Sequence, residues 1–257
     1  MPEFCKLERE GRVLTVTIDR PELLNALHPP SHVELDGVWR EFEADPELWV
    51  AIVTGAGDRA FCAGNDLKYQ AAGGRVEIPA SGFAGLTARY DLVKPVIAAV
   101  NGVAMGGGFE IALACDLIVA SERALFALPE PRVGLAALAG GVHRLPRQIG
   151  LKNAMGMMLT GRRVGAEEGL RLGFVNEVVP HDEVLAAARR WAAMICECAP
   201  LSVRASRPRI AACFDAPSLR EAVDGRYEQM AAMIKSQDFV EGPRAFAQKR
   251  KPEWKGR

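Results

Sequence analysis

Apolar and polar positions alternate at the start of the chain. Leu14, Val16 and Ile18 interleave with Val13, Thr15 and Thr17, the two-residue period of a strand. Phe4–Glu8 precedes that run across Gly11, so the opening residues predict a hairpin of Phe4–Glu8 and Arg12–Asp19. A helical period then takes over. Leu35, Val38, Trp39 and Phe42 recur at i, i+3, i+4 and i+7 after Ser31-x-x-Glu34, a capping box, and the helix should end near Pro46. Leu48–Thr54 is apolar on both faces, which predicts a strand buried on both sides. Gly55–Gly64 reads as a loop, and the Gly-rich Ala71–Gly85 as a mobile surface connection. Pro95–Val100, Gly106–Cys115 and Leu117–Ala120 predict strand, helix and strand, the alternation of an α/β core.

Past Pro180 the pattern is helical only. His181–Ala199, Leu201–Phe214 and Ser218–Ser236 predict three helices, the last opened by the capping box Ser218-x-x-Glu221. No strand is expected after about Val179. The expected division is an α/β core over residues 1–198 and a helical C-terminal region over residues 199–257. Leu185, Trp191, Met194 and Ile195, then Leu219, Val223, Tyr227, Met230 and Ile234, put apolar side chains around much of these helices. A helix apolar on more than one face must be buried on more than one side, which points to self-assembly.

Composition narrows the classes. The chain has 257 residues, 49% of them hydrophobic, which excludes disorder. A chain of that length buries roughly 70–75% of its unfolded surface. Lys plus Arg and Asp plus Glu are 32 each, so no basic excess marks a nucleic-acid or membrane-surface protein. Met1–Glu10 carries Glu3, Lys6, Glu8 and Arg9 and is no signal peptide. The most apolar run, Pro95–Met105, is broken by Asn101-Gly102 and is too short to span a bilayer. The six cysteines show neither C-x-x-C nor metal-ligand spacing, and His28, His32, His143 and His181 are scattered. The expectation is a soluble cytoplasmic protein with reduced thiols, no metal, and histidines that are exposed or satisfied locally.

Candidate chemistry gathers in Phe61–Leu67, Asn101–Glu110 and Phe126–Glu130. Gly106, Gly107 and Gly108 follow a buried strand and open a helix. They let a ligand approach backbone N–H groups at the positive end of a helix, or serve only as a turn needing positive φ. No Gly-Lys-Ser/Thr follows, so a P-loop is excluded. Glu110 sits on an otherwise apolar helix, and Glu130 follows a second apolar run, Ala124–Leu128. A buried lone carboxylate costs several kcal/mol unless paired or employed. Each glutamate alone fits a salt-bridged structural acid; together beside a donor loop they fit an acid–base pair at an anion hole. Gly55-Ala-Gly-Asp-Arg-Ala60 matches a dinucleotide fingerprint, but the residues after Ala60 make a poor first helix. A G-x-S-x-G nucleophile elbow is missing.

These residues carry a resemblance. Asn25-Ala-Leu27, Phe61–Leu67, Lys94–Gly102, Gly106–Glu110, Pro129-Glu130, Gly140-Gly141 with Arg144-Leu145, Leu159–Gly161 and Glu241–Phe246 with Lys249-Arg250 occur in the order of the crotonase (enoyl-CoA hydratase/isomerase) superfamily. The chain resembles that superfamily over essentially its whole length. Ser81–Thr87 and Glu241–Arg257 look especially like its carnitinyl-CoA dehydratase (crotonobetainyl-CoA hydratase) branch. The resemblance implies an α/β spiral of ββα units with a helical C-terminal trimerisation region, and trimers paired into hexamers.

It further implies that backbone N–H groups of Asn65 and Gly107 bind the thioester oxygen. Ala26, Leu27, Ala63, Asn65, Asp66, Leu67, Lys68 and Gly107 would contact coenzyme A and substrate, with Phe246 and Lys249 near the adenine and phosphate end. Coenzyme A is then part of the substrate and no separate cofactor is needed. Glu110 and Glu130 fall where the hydratases carry glutamates: Glu110 for the attacking water, Glu130 for the proton at C2. Isomerases of the family usually keep one acid, so the pair favours a lyase over a Δ-isomerase. A non-enzymatic acyl-CoA- or RNA-binding relative fits poorly with the neutral charge and the intact pair. Met105, Leu135 and Leu138 would line the acyl pocket. Ala137 and Leu138 stand where the carnitinyl-CoA dehydratases carry Pro-Asp, which leaves the hydratase chemistry in place and argues for a plain alkyl enoyl-CoA.

Overall fold

The computed structural model describes residues 2–75 and 77–257; Met1, and Val76 of the expected surface connection, lie outside them. The predicted hairpin is present as β1 (Cys5–Glu10) and β2 (Val13–Ile18), paired antiparallel around Gly11 at φ +56°. β2 then pairs in parallel with β3 (Val50–Gly55), and the sheet continues through β5 (Val96–Val100), β7 (Leu117–Ser121) and β10 (Glu177–Val179). Side chains alternate between two cores across this sheet. Ala51, Val53, Val96, Ala98 and Ile118 join the larger one; Val50, Ile52, Ile97, Ala99 and Val119 face α7 (Val184–Cys196). That is why Leu48–Thr54 reads apolar throughout: parallel strands buried on both faces have no polar side to show.

A second, smaller sheet went unread in the sequence. It has the order β4 (Ala60–Cys62), β6 (Val103–Met105), β8 (Leu125–Ala127) and β9 (Val164–Gly165). Strand β4 corrects the expected Gly55–Gly64 loop. Each of β3, β5 and β7 in the large sheet is followed by a strand of the small one, so the chain winds between the two as a spiral of strand pairs. The helices α2 (Leu67–Ala71) and α3 (Gly107–Ala114) and a 3-10 turn at Glu130–Val133 follow β4, β6 and β8 in turn.

Helix α1 (Pro29–Ala44) buries Leu35, Val38, Trp39 and Phe42 as its period predicts, but begins one turn earlier than expected. Ser31 is inside it: its Oγ accepts from the His28 N–H at 2.9 Å. Glu34 instead accepts from the Phe4 N–H at 2.8 Å, tying α1 to the N-terminus, so Ser31-x-x-Glu34 is not the cap. Lys94 is buried under the far end of α1, where its Nζ donates to the carbonyls of Phe42 and Asp45 at 2.6 Å each. A cation is favoured at the negative end of a helix.

The expected surface connection Ala71–Gly85 is exposed along most of its described length and is corrected only at its end. Phe83, Ala84, Gly85 and Leu86 are buried in a 3-10 turn beneath α1. Glycine there serves close packing: a Cβ on Gly85 would lie 2.4 Å from the Asp36 Cα. After α4 (Gly141–Ile149), α5 (Leu151–Thr160) and α6 (Ala166–Leu172), the chain past α7 is helical as expected: α8 (Pro200–Ala212), α9 (Leu219–Asp224), α10 (Glu228–Ile234) and α11 (Gln237–Ala247). The predicted single helix Ser218–Ser236 is broken at Gly225–Tyr227, although Ser218 caps it by accepting from the Glu221 N–H at 3.2 Å. Among the described residues, no helix is long and apolar enough to cross a membrane.

Candidate active site

The small sheet explains why distant motifs meet. β4, β6 and β8 are parallel neighbours, so their C-terminal ends lie side by side. Asn65 follows β4, Gly107 follows β6 and Glu130 follows β8 within three residues of each strand end. Ligands bind characteristically beyond the carboxyl ends of parallel strands.

The first loop is held by backbone and buried charge. Leu27 and Asn65 form a parallel bridge, in which Leu27 N–H donates to Gly64 O and Asp66 N–H to Leu27 O, each at 2.8 Å. This geometry uses the groups on either side of Asn65 and leaves its own N–H without a protein acceptor among the described residues. Asn25, fully buried at φ +57°, holds the neighbouring turns by donating to Ala56 O and Ala60 O at 3.0 and 2.8 Å. Asp66 is buried, accepts from the Tyr69 N–H at the start of α2, and pairs with Arg20 at 3.1 Å. Desolvation raises the Asp66 pKa, but these hydrogen bonds and the Arg20 charge outweigh it, and the net shift is downward. Ala26 and Leu27 are buried, Ala63 is half-buried, and Leu67 and Lys68 are exposed on the first turn of α2.

The second loop reaches the first through glycine. Gly106 has φ +53°, and Gly64 at φ +95° approaches so closely that a Cβ would lie 2.7 Å from Met105 O and 3.2 Å from Gly107 N. A Cβ on Gly108 would lie 1.9 Å from Cys62 O. Gly107 opens α3, and its N–H also has no protein acceptor among the described residues. Two free donors therefore stand on adjoining loops, one of them at a helix N-terminus.

Glu110, one turn into α3, is 3% exposed; its Oε1 accepts from the Gly141 N–H at 2.8 Å. Burial, opposed by that hydrogen bond and assisted by the charge of Glu130, pushes its pKa up to about 7. Glu130 is half-buried and its Oε2 is enclosed with no hydrogen-bond partner among the described residues. Burial raises its pKa as well. A Cβ on Gly106 would lie 3.1 Å from Glu130 Oε1, which places this carboxyl against the glycine loop. Neither glutamate forms an ion pair with a described residue. The structural-acid alternative for the pair has no salt bridge among the described residues to support it, although the charge of Arg144 acts on Glu110 and lowers its pKa.

The other expected residues are more dispersed. Met105 is half-buried beside Gly106, while Leu135 and Leu138 are exposed, Leu138 by 80%. Ala137 is the buried member of that segment, 3.1 Å from where a Gly141 Cβ would stand. Phe246, 87% exposed, and Lys249 lie at the end of α11. That helix packs on α10, and Gly242 meets the Trp254 ring, which belongs to the core on the opposite face of the large sheet. Within one chain they do not join the glutamates. Phe83, Arg20 and Arg144 also shape the site. Only the glycines flanking Phe83 and the Arg144-Leu145 pair signalled two of them; nothing marked Arg20.

Comparison with known proteins identifies the family. The family model for enoyl-CoA hydratase/isomerase matches residues 8–257. A protein of Proteus mirabilis strain HI4320 named carnitinyl-CoA dehydratase is 45% identical over 263 residues, covering 100% of both chains. The crystal structure of an enoyl-CoA hydratase from Mycobacterium tuberculosis H37Rv superposes with a TM-score of 0.91 at 38% identity, covering 99% of each chain. That of an enoyl-CoA hydratase from Bacillus anthracis gives 0.91 at 33% identity, covering 99% of this chain and 100% of that one.

Proposed function

Since the chain belongs to the enoyl-CoA hydratase/isomerase family and is a lyase acting on CoA thioesters, we propose that it adds water across the 2,3 double bond of a plain alkyl 2-enoyl-CoA. The observation that carries this reading is the pair of carboxyls, Glu110 buried and Glu130 half-buried, neither in a salt bridge with a described residue, beside two unpaired backbone donors. The N–H groups of Asn65 and Gly107 receive the thioester oxygen, where enolate charge develops as water attacks C3. One such donor is worth about 2.7–4 kcal/mol in the transition state. Glu110 takes a proton from the water whose oxygen bonds to C3. Glu130 delivers a proton to C2, and the enolate electrons form the C2–H bond. Ala26, Leu27, Ala63, Asp66, Leu67 and Lys68 surround the coenzyme A moiety, which enters and leaves as part of the substrate.

Base form at Glu110 grows as pH rises through its pKa of about 7. The expected kcat/KM profile therefore has an acid limb near pH 7, and Glu110→Gln should abolish that limb in its residual activity. A limb near the ordinary carboxylate range would remove Glu110 from the base role.

The apolar segment 135–139 offers neither a charge nor an aromatic ring to a polar acyl tail. Each methylene buried there adds about 0.8 kcal/mol until the pocket is filled. The second reading, a carnitinyl-CoA dehydratase, is favoured by full-length identity of 45% to a protein of that name. Comparing kcat/KM for crotonyl-, hexenoyl- and crotonobetainyl-CoA decides between them. The alkyl substrates should win; a tenfold advantage for crotonobetainyl-CoA would establish the second reading.

Residues 199–257 serve assembly in this reading. Ile210, Phe214, Leu219, Val223, Ile234, Phe239 and Val240 are exposed in the single chain, and exposed apolar side chains that gather in one region mark interaction surfaces. Native mass spectrometry should show a trimer or hexamer, and ending the chain before Ala199 should give insoluble or dissociated protein. A full-length monomer alone would refute the assembly. Phe246 and Lys249, remote from the glutamates within one chain, would reach coenzyme A bound to a neighbouring subunit.

A further inference from the structure

The turn at residues 83–85 is gripped from several directions. Ala84 sits in the left-handed region, φ +55° and ψ +21°, where an L side chain is disfavoured. Both of its backbone groups are engaged by buried side chains of α1. Its N–H donates to His32 Nδ1 at 3.1 Å, and its carbonyl accepts from Trp39 Nε1 at 2.9 Å. The Phe83 N–H donates to Thr87 Oγ1 at 2.8 Å, and Arg144 donates to Thr87 O at 2.7 Å. Backbone held in a sparsely populated conformation persists where its surroundings over-determine it, and such places cluster at functional sites.

The grip ends on the Phe83 ring. The His32 ring meets it edge-on at 4.5 Å. Gly107 also lies against this ring: a Cβ there would be 2.5 Å from Phe83 Cζ. Only a glycine leaves room for this ring against the backbone that carries the Gly107 N–H. His32 is 1% exposed, and burial lowers its pKa to about 4, so the ring is neutral and Nδ1 keeps its lone pair. The proton is then on Nε2, which has no partner among the described residues. An unsatisfied buried donor is costly, so packing alone would favour an apolar side chain at this position.

We infer that His32 is a positioning residue for the reaction: through the Ala84 N–H it holds the Phe83 ring against Gly107 and so sets the direction of the Gly107 N–H. The inference rests on the reading of Asn65 and Gly107 as the donors to the thioester oxygen. Trp39 shares the task from the carbonyl side of the same residue.

His32→Leu keeps bulk but removes the acceptor, whereas His32→Asn places an oxygen near the position of Nδ1. A misdirected transition-state donor should act on kcat, so His32→Leu should lower kcat about 10–100-fold with KM changed by less than about twofold. His32→Asn should recover kcat to within about threefold. Trp39→Phe, which keeps an aromatic ring but removes the donor, should lower kcat by about three- to tenfold and guards against misfolding of the leucine variant. The spectroscopic arm uses 2,4-hexadienoyl-CoA bound to the Glu110→Gln enzyme, where donors to the carbonyl shift the conjugated absorbance to the red. His32→Leu in that background should shrink the shift, and His32→Asn should restore it. If Glu110→Gln alone shows no shift, the donor reading itself fails and the inference falls with it. If the shift is present but unchanged by His32→Leu, or if leucine and asparagine variants lose kcat equally, the donor reading stands and the positioning role of His32 is overturned.

Discussion

Replacing either glutamate by glutamine should lower turnover about 10²–10⁴-fold, and replacing both should cost far less than the product of the two losses. In the proposed mechanism water addition needs a base for the water that attacks C3 and an acid for C2, so either loss disables the whole sequence; residues acting as a unit are strongly non-additive. Steady-state hydration of crotonyl-CoA, followed by loss of the conjugated absorbance, measures all three variants. Near-normal hydration by Glu130→Gln would end the two-glutamate mechanism.

Stability should move the other way. Glu110 has its folded-state pKa raised from 4.5 to about 7 by burial, so the folded state holds a proton that the unfolded chain releases. The stability this contributes is present below about pH 4.5 and is lost as pH rises through about 7. Glu110→Gln should therefore lose activity while gaining stability relative to the parent above pH 7. A structural acid would behave oppositely, since its removal would weaken the fold throughout.

The second large effect is expected at Gly108. Its missing Cβ would overlap the Cys62 carbonyl oxygen at 1.9 Å, and backbone on both sides has nowhere to go. Gly108→Ala should lower stability by about 3 kcal/mol, at the upper end of overpacking costs, or a Tm drop of roughly 6–12 °C for a chain of this size. Gly107→Ala makes the informative contrast. Its Cβ would meet the Phe83 ring, a side chain that yields more readily, so stability should fall less. Activity should fall more, about 10²–10³-fold, because in the proposed mechanism the displaced group is the transition-state donor. Thermal unfolding and kcat on the two variants separate the roles, and a parent-like Tm for Gly108→Ala would show that the close approach of α3 to β4 is relaxed in solution.

The local geometry of the glycine loop and the burial of Glu110 were legible in the residues. Glycines at 106–108 announce a loop that needs positive φ and close approach, and an acid on an otherwise apolar helix announces a carboxyl with a task. Strands β2, β3, β5 and β7 were legible for the same reason: five or six residues suffice to display a period or an unbroken apolar run. Strands β4, β6, β8 and β9 have only two or three residues each, too few to display any period, and they hold their shape by pairing with one another. The C-terminal break at Gly225 was equally hidden, because one glycine inside a helical pattern is compatible with continuation.

What no single segment contained was the meeting of the segments. Composition marks Ala71–Gly85 as a surface connection, but Ala84 at its end is held by Trp39 and His32, more than 40 residues earlier in the chain. In the irregular stretch 135–139, no repeat sets which side chain turns inward, and packing beside Gly141 selected Ala137 rather than Leu138. The convergence of Asn65, Gly107 and Glu130 follows from the order β4-β6-β8 in the small sheet. The chain's own pattern decides which residues are buried, capped or free to bend, because those properties act over one turn or one strand. Which loops become neighbours is decided by hydrogen bonds between strands far apart in sequence, and these exist only once the spiral has closed.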